Sequence, residues 1–323
     1  MIKLPALIIA AVLGGFSTAV AQSYPSRPIT MIVPFPAGGP TDVIGRVLAE
    51  RMGATLGQPV IVENPVGASG SIGTGRVARA APDGYTLSLG NWPTHAVNGA
   101  TYKLNYDIVA DFDAISMISS DPLLIVATKS IPSNNLKEFI AWVKANQDTA
   151  VQATTGAGSS NHVAGTLFQR ETGTKYQFIY YRSSSLAMPD LIAGRIHFMI
   201  DTAANSVPQV RTGTIKGFAV TAKTRLPALP DLPTVDEAGL PGFYCLNWHG
   251  LWVPKGTPPA IVARLNDAVV QALAHPSVQQ RLADLGHEIF PREQQTPDGT
   301  AAFQKAEIER WWPVIRAANI RAE

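Results

Sequence analysis

The sequence predicts an α/β protein of two lobes built on largely parallel sheets, and three observations carry that expectation. Short β-rich runs alternate with helical ones from end to end, the signature of strand–helix–strand units. The chain of 323 residues exceeds what one hydrophobic core usually organises. Proline-rich punctuation falls twice, at Ser119 to Pro122 and at Arg225 to Pro233, as though the chain left one domain, built a second and returned. The expected partition is a leader over 1–21, a discontinuous first lobe over 22–121 plus 226–323, and a second lobe over 122–225. A hinged cleft between lobes follows, and such clefts favour ligand sites.

The leader reads as a secretory signal. Lys3 supplies the positive start, Leu4 to Phe16 an apolar run, and Ala19-Val20-Ala21 the small-x-small pattern that predicts cleavage after Ala21. The run is broken by Pro5 and Gly14-Gly15, too short to span a membrane, which takes about 18 or more apolar residues. Composition narrows the rest. Charged residues are 15 % against 46 % hydrophobic, which excludes a disordered chain. Lys+Arg number 26 and Asp+Glu 24 with no basic cluster, so nucleic acid is not an expected partner. The single cysteine, Cys245, excludes an internal disulfide and a cysteine-based zinc site.

The elements follow in order. Ile29 to Val33 is the first strand, and Thr41 to Leu56 the first helix, with Val43, Ile44, Val47, Leu48, Met52 and Leu56 on one face. Gly57 ends that helix and Pro59 forbids a restart. Strands are predicted at Val60 to Val62, Thr86 to Leu89, Leu123 to Ala127, Val151 to Thr154, Phe178 to Tyr181, Ile196 to Ile200, Gly217 to Thr221 and Leu251 to Val253. Helices are predicted at Ser133 to Asn146, about Ser160 to Thr172, Pro259 to Ala274, Ser277 to Leu285 and Pro297 to Ala318, with a kink at Pro313. Trp311-Trp312 should pack the last helix on the first lobe, and Trp92 and Trp248 are read as core.

Pro34 to Asp42 (PFPAGGPTD) lies between the first strand and the first helix. Gly38-Gly39 permits positive φ and keeps side chains out of a ligand's way. The first helical amides have no intrahelical acceptor and carry partial positive charge, so a carboxylate or phosphate docks there readily. The same residues also make a plain connection whose donors go to Thr41, Asp42 or water, and Asp42 itself reads as a cap. A second instance shifts the balance. Thr154 to His162 (TTGAGSSNH) again follows a strand and opens a helix, in the other predicted lobe. Two such turns facing each other would clamp one small acid. Neither carries the lysine of a nucleotide-binding P-loop, and Gly67, Gly70, Gly73 and Gly75 miss the dinucleotide spacing, reading instead as a turn packed closely on the next helix.

Catalysis and metals find little support in spacing. Ser159, Ser160 and His162 invite a nucleophile–base reading, yet no G-x-S-x-G elbow exists. The six histidines are far apart, with no H-E-x-x-H. His275 and His287 read as solvated helix-end residues and His197 as structural. Asp201, at a strand's carboxyl end, faces the cleft or caps the next helix.

These stretches together carry a resemblance. Tyr24-Pro25-Ser26-Arg27-Pro28-Ile29, the turn at Pro34 to Asp42, the E-N-x-x-G-A-x-G-x-I-G-T run at Glu63 to Thr74, Ala81 to Leu87, Thr94-His95-Ala96, Tyr102 to Phe112, Gly156 to Gly165, Leu229 to Val235 and Trp248 to Pro258 stand in order. The chain so read resembles the periplasmic solute-binding proteins of tripartite tricarboxylate transporters, the Bug or TctC-like family. The resemblance implies a type II periplasmic-binding-protein-like fold of two hinged α/β lobes. It implies that the two turns hold a ligand carboxylate, partly through water: Phe35, Ala37, Gly38, Gly39, Thr41 and Asp42 in the first, and Thr155, Gly156, Gly158, Ser159, Ser160, Asn161 and His162 in the second. Thr94, His95 and Asp201 are implied cleft positions. The chain departs from the pattern at Arg182 to Ser185, where a Gly-Gly is usual, and at Pro189, Trp92-Pro93 and His249; Ser183 to Ser185, Ser184 among them, would add hydroxyl donors.

The expected function is periplasmic capture of a small carboxylate (dicarboxylate, tricarboxylate or aromatic acid) by a monomer without cofactor or bound metal. Delivery to a permease of one large and one small membrane subunit is implied. Two other readings stay open: ligand presentation to a two-component sensor, and a periplasmic hydrolase using Ser160 and His162.

Overall fold

A computed structural model describes residues 24–156 and 158–321; the predicted leader and Ala157 lie outside the described residues. The strands are β1 (Ile29–Ile32), β2 (Val60–Glu63), β3 (Thr86–Asn91), β4 (Phe112–Ala127), β5 (Val151–Thr154), β6 (Gln177–Tyr180), β7 (Phe198–Thr202), β8 (Lys216–Val220), β9 (Leu246–Pro254) and β10 (Glu288–Ile289). The helices are α1 (Pro40–Leu56), α2 (Ser71–Ala78), α3 (Asn98–Thr101), α4 (Leu136–Ala145), α5 (Ser160–Thr172), α6 (Ser184–Ile192), α7 (Ala203–Arg211), α8 (Pro259–Ala274), α9 (Pro276–Asp284) and α10 (Pro297–Ala317). One curled sheet in the order β2-β1-β3-β9-β4-β7-β5-β6 threads both halves, with β8 and β10 also pairing β4.

The sheet is mixed, where a largely parallel one was expected. β1, β2 and β3 are parallel, as are β5, β6 and β7, but β9 runs antiparallel to β3 and β4, and β4 antiparallel to β7 and β8. The cause is β4, predicted only from Leu123 onward. It passes straight through the proline-rich stretch read as punctuation. Phe112 to Pro122 pair with β9, and Leu123 to Ala127 with β7 and β8. Proline has no amide to give a ladder, and Pro122 falls where β4 exchanges one set of partners for another. The second proline-rich stretch does not mark the return either. Leu226, Leu229 and Leu232 pack with Leu124, Val126 and Val220 of the second half, and the chain re-enters the first half at β9.

Packing follows the apolar periodicity. α1 buries Ile44, Leu48, Ala49, Met52 and Leu56 against β1, β3 and α8, each large side chain contributing about 1.5–3 kcal/mol. Gly57 at φ 73 closes the helix as predicted. A second cluster spans both halves, from Phe139, Phe168 and Phe198 through Leu123 to Trp92, Trp248, Trp252 and Trp311. α10 runs on through Pro313, and its Trp311 meets Trp92 edge-on at 5.2 Å. Gln304 of the same helix donates to the carbonyls of His95 and Ile108, both at 2.9 Å.

Helix α1 reaches the sheet through Gly45, where an added Cβ would lie 2.8 Å from Val33 and 3.1 Å from Leu89. Gly45→Val should therefore destabilise the fold by about 1–3 kcal/mol through overpacking, read as a lower urea midpoint. An unchanged midpoint would contradict this account of how α1 is seated.

Candidate functional site

Strand directions point the two glycine turns toward the middle of β4 from opposite halves. β1 and β3 run with β4, because β9 is antiparallel to both β3 and β4. β5 and β7 run against β4. The carboxyl ends of β1 and β3 therefore point toward the second half, and those of β5 and β7 toward the first. The register locates the meeting. Asn91 at the end of β3 lies opposite His249, itself opposite Ser119 of β4, while Thr202 at the end of β7 lies opposite Leu123.

The first turn closes on itself. Gly38 adopts φ 79, and Gly39 caps α1 in extended conformation (φ −75, ψ 167). The Gly38 amide donates to Asp42 Oδ2 at 2.8 Å, and Gly39 N to Pro36 O at 3.1 Å. Asp42 is buried and also accepts from Arg46 Nε at 2.8 Å and Asn64 Nδ2 at 2.9 Å. Burial alone would raise its carboxyl, but the bonds from Arg46, Gly38 and Asn64 outweigh it and hold the group below the usual range. Asp42 thus acts as a cap. The first helical bond is given by Val43 N to Gly39 O. Ahead of it, the amides of Thr41 and Asp42 have no acceptor among the described residues, and Pro40 has no amide to give.

The second turn repeats this pattern 120 positions along. Gly158 adopts φ 77, and Ser159 caps α5 (φ −67, ψ 159). Gly158 N donates to His162 Nδ1 at 3.2 Å, Ser159 N to Gly156 O at 3.2 Å and Val163 N to Ser159 O at 2.9 Å. Here the amides of Ser160 and Asn161 precede the ladder without an acceptor among the described residues. Among the described residues, both turns therefore end in a pair of main-chain donors without acceptors on a helix axis, where the dipole adds positive potential. Burial lowers the pKa of His162, so neither turn adds a free cation.

The remaining predicted positions fall differently. Thr155 Oγ1 lies 3.3 Å from Asn161 Oδ1, whose amide donates to Ile200 O at 2.9 Å and Asp201 Oδ1 at 3.2 Å. Asp201 is buried and also accepts from Asn205 and Ser206, at 2.6 and 2.9 Å; its side chain locks α7 to α5. Thr94 and His95 are wholly buried. Thr94 Oγ1 engages Asn91, and the His95 ring stacks on Trp252 at 3.9 Å, so neither side chain reaches an open surface. Ser184 is half-buried at the start of α6, which Ser183 caps. His162 Nδ1 takes the Gly158 amide and Nε2 faces Tyr180 Oη at 3.4 Å, leaving no nitrogen for Ser160.

Sequence reasoning missed the residues that hold the first turn from behind. Asn64 also donates to Phe35 O at 2.9 Å. A Cβ on Gly70 would lie 2.6 Å from Thr94 and 3.2 Å from Phe35, and one on Gly73 would lie 2.7 Å from Pro34, so the glycine run is the wall of the turn. Gly73 and Gly75 belong to helix α2 itself. His287, expected in solvent, is buried beside Asp121 and His249, because the strand after α9 folds back onto β4. His275 caps α9 at the surface.

Residues 44–320 match the family described as the tripartite tricarboxylate transporter family receptor, TctC. Among solved structures, the periplasmic binding protein BugD is 38 % identical, with a TM-score of 0.80 over 93 % of this chain and 100 % of that one. MatC from Rhodopseudomonas palustris, solved with bound malate, is 39 % identical, with a TM-score of 0.79 over 90 % of this chain and 100 % of that one. A second R. palustris protein, solved with adipate, is 34 % identical, with a TM-score of 0.81 over 92 % and 99 %.

Burial drives the pKa of His95 from 6.5 down to about 3. The unfolded chain therefore binds a proton that the folded ring refuses across that window, and stability falls as pH drops through it. At about pH 5 the loss is about 2 kcal/mol. Urea unfolding of His95→Phe near neutrality and near pH 5 should show the pH dependence reduced by that amount; an undiminished dependence would mean that the folded ring takes up its proton as the unfolded one does.

Proposed function

The chain belongs to the tripartite tricarboxylate transporter receptor family, TctC, and on that premise we propose that it is a periplasmic receptor for a small carboxylate, which it hands to a membrane permease of one large and one small subunit. The observation that carries this reading is the repeated turn. Among the described residues, four main-chain amides, of Thr41, Asp42, Ser160 and Asn161, have no acceptor at two helix starts whose preceding strands point toward the crossing of β4. A hydrogen bond to a charged group contributes about 1.5–3 kcal/mol. Four to six such donors, less ordering and desolvation, give at most about −8 kcal/mol, a micromolar dissociation constant. No Arg or Lys is needed in the turns.

The site residues of this reading are those of the two turns, Phe35 to Asp42 and Thr155 to His162, with Asn64, Gly70 and Gly73 supporting the first. Thr94, His95 and Asp201 act behind them as packing and locking groups. A dicarboxylic acid is the favoured ligand class, in line with the malate and adipate of the two R. palustris relatives. Ser183 to Ser185 and Tyr180 are the candidates for its far end. The first lobe is assigned as 22–121 plus 246–323 and the second as 122–245, in place of the expected return at 226. The leader over 1–21 directs the chain to the periplasm. Binding proceeds without chemistry, a reading supported by the full engagement of His162 away from Ser160.

Thermal unfolding against malate, adipate, citrate and benzoate tests the ligand class. The cognate acid should stabilise the protein by about 2.7 kcal/mol at a hundredfold excess over its dissociation constant. A shift with sugars or cations and none with any acid would overturn the reading. Gly39→Val, whose Cβ would sit 3.1 Å from Pro36 O and whose methyls would crowd the docking position, should weaken binding of that acid at least about tenfold; unchanged affinity by isothermal titration would remove the first turn from the site.

A further inference from the structure

Asp121, His249 and His287 are remote in sequence, yet the fold gathers them where β4 changes sheets. Asp121 lies opposite Asn247 on β9, and His249 stands opposite Ser119. His287 immediately precedes β10, whose Glu288 pairs with Ser120. One ligand atom from each of the three, an imidazole nitrogen or a carboxylate oxygen, lies within 4.8 Å of the others, and all three side chains are buried.

Acceptors outnumber donors in this cluster. Among the described residues, the Asp121 carboxylate receives a side-chain bond from Asn247 at 3.5 Å, and His287 Nδ1 stands 3.7 Å away. His287 Nδ1 meets Ser119 Oγ at 3.4 Å. His249 Nδ1 is buried with no hydrogen-bond partner among the described residues, while its Nε2 lies 3.2 Å from Thr41 Oγ1. Buried polar groups are normally satisfied, and an orphaned one calls for an explanation. Burial raises the Asp121 carboxyl against the pull of His287, and burial followed by His287 keeps His249 neutral.

We propose that Asp121, His249 and His287 bind a divalent transition-metal ion of the zinc type. Two imidazoles and one carboxylate are a donor set for such metals, whereas calcium and magnesium ask for six or more oxygens. Bonds of about 2.0–2.2 Å put ligand atoms roughly 3.4 Å apart, so the three side chains have only to draw inward. With Nε2–H donated to Thr41 Oγ1, His249 Nδ1 keeps its lone pair, and Thr41 becomes the outer partner that fixes the ring. A cavity of about 460 Å³, lined by Ala203, Ala204, Gly286, His287 and Glu288 among others, borders the cluster at His287. Thr41 opens α1, so the ion would tie the first turn to the crossing strand.

The test uses tag-free protein stripped with a chelator, desalted and equilibrated with Zn²⁺. Elemental analysis should return one ion per chain with a rise in Tm, and Co²⁺ should give the visible absorption of a low-symmetry site. His249→Gln, His287→Gln and the near-isosteric Asp121→Asn should each weaken Zn²⁺ binding at least tenfold, with circular dichroism confirming the fold. Failure of the unsubstituted protein to retain Zn²⁺ would overturn the proposal without recourse to any variant. Equal retention by the His249→Gln/His287→Gln double variant, or loss on substituting exposed His275 alone, would overturn it too.

Discussion

Strand β4 runs unbroken across sixteen residues and hydrogen-bonds to β9 with its first part and to β7 and β8 with its second. The relative orientation of the two turns depends on that continuity. Because one strand serves both halves, the direction of every other strand is fixed relative to it. The carboxyl ends of β1 and β3 point toward the crossing from one half, and those of β5 and β7 from the other. Sites in open α/β sheets gather at such ends, and here two sets of ends are turned toward each other. Pro122 has no amide to give where the ladder partners change, so its position asks for no acceptor.

The two turns that arrive there are the same device made twice. In each, a glycine with positive φ gives its amide to the side chain four residues on, an extended residue caps the helix, and two further amides are left over. The side chains that close the turns differ in charge state: Asp42 is an anion neutralised by Arg46, and His162 is a neutral ring. The leftover donors are main chain in both. In the proposed receptor, specificity for an anion would come from fixed dipoles, and specificity among anions from the side chains around them.

The turns were legible in the sequence because their geometry is local, set by glycines, a cap and a helix start within nine residues. Helix α1 was legible for the same reason, through Ile44, Leu48, Met52, Leu56 and the closing Gly57. Long-range features were not. Nothing in Ser119 to Pro122 announces that a strand continues through a proline, because the compensation lies in β9. The burial of Thr94 and His95 depends on Trp252 and α10, more than 150 positions away, and the support that Asn64 gives to Asp42 and Phe35 is equally invisible from spacing. The cluster of Asp121, His249 and His287 has no motif at all; the interiors of β4 and β9 and the residue before β10 assemble it.

The central claim is that main-chain amides of both turns hold one organic anion, and amide-resolved NMR of ¹⁵N-labelled protein titrated with malate or adipate reads it directly. The account predicts that the Thr41, Asp42, Ser160 and Asn161 resonances move together along one saturable curve with the acid that stabilises the fold. Movement confined to one turn, or centred on residues away from both, would contradict it.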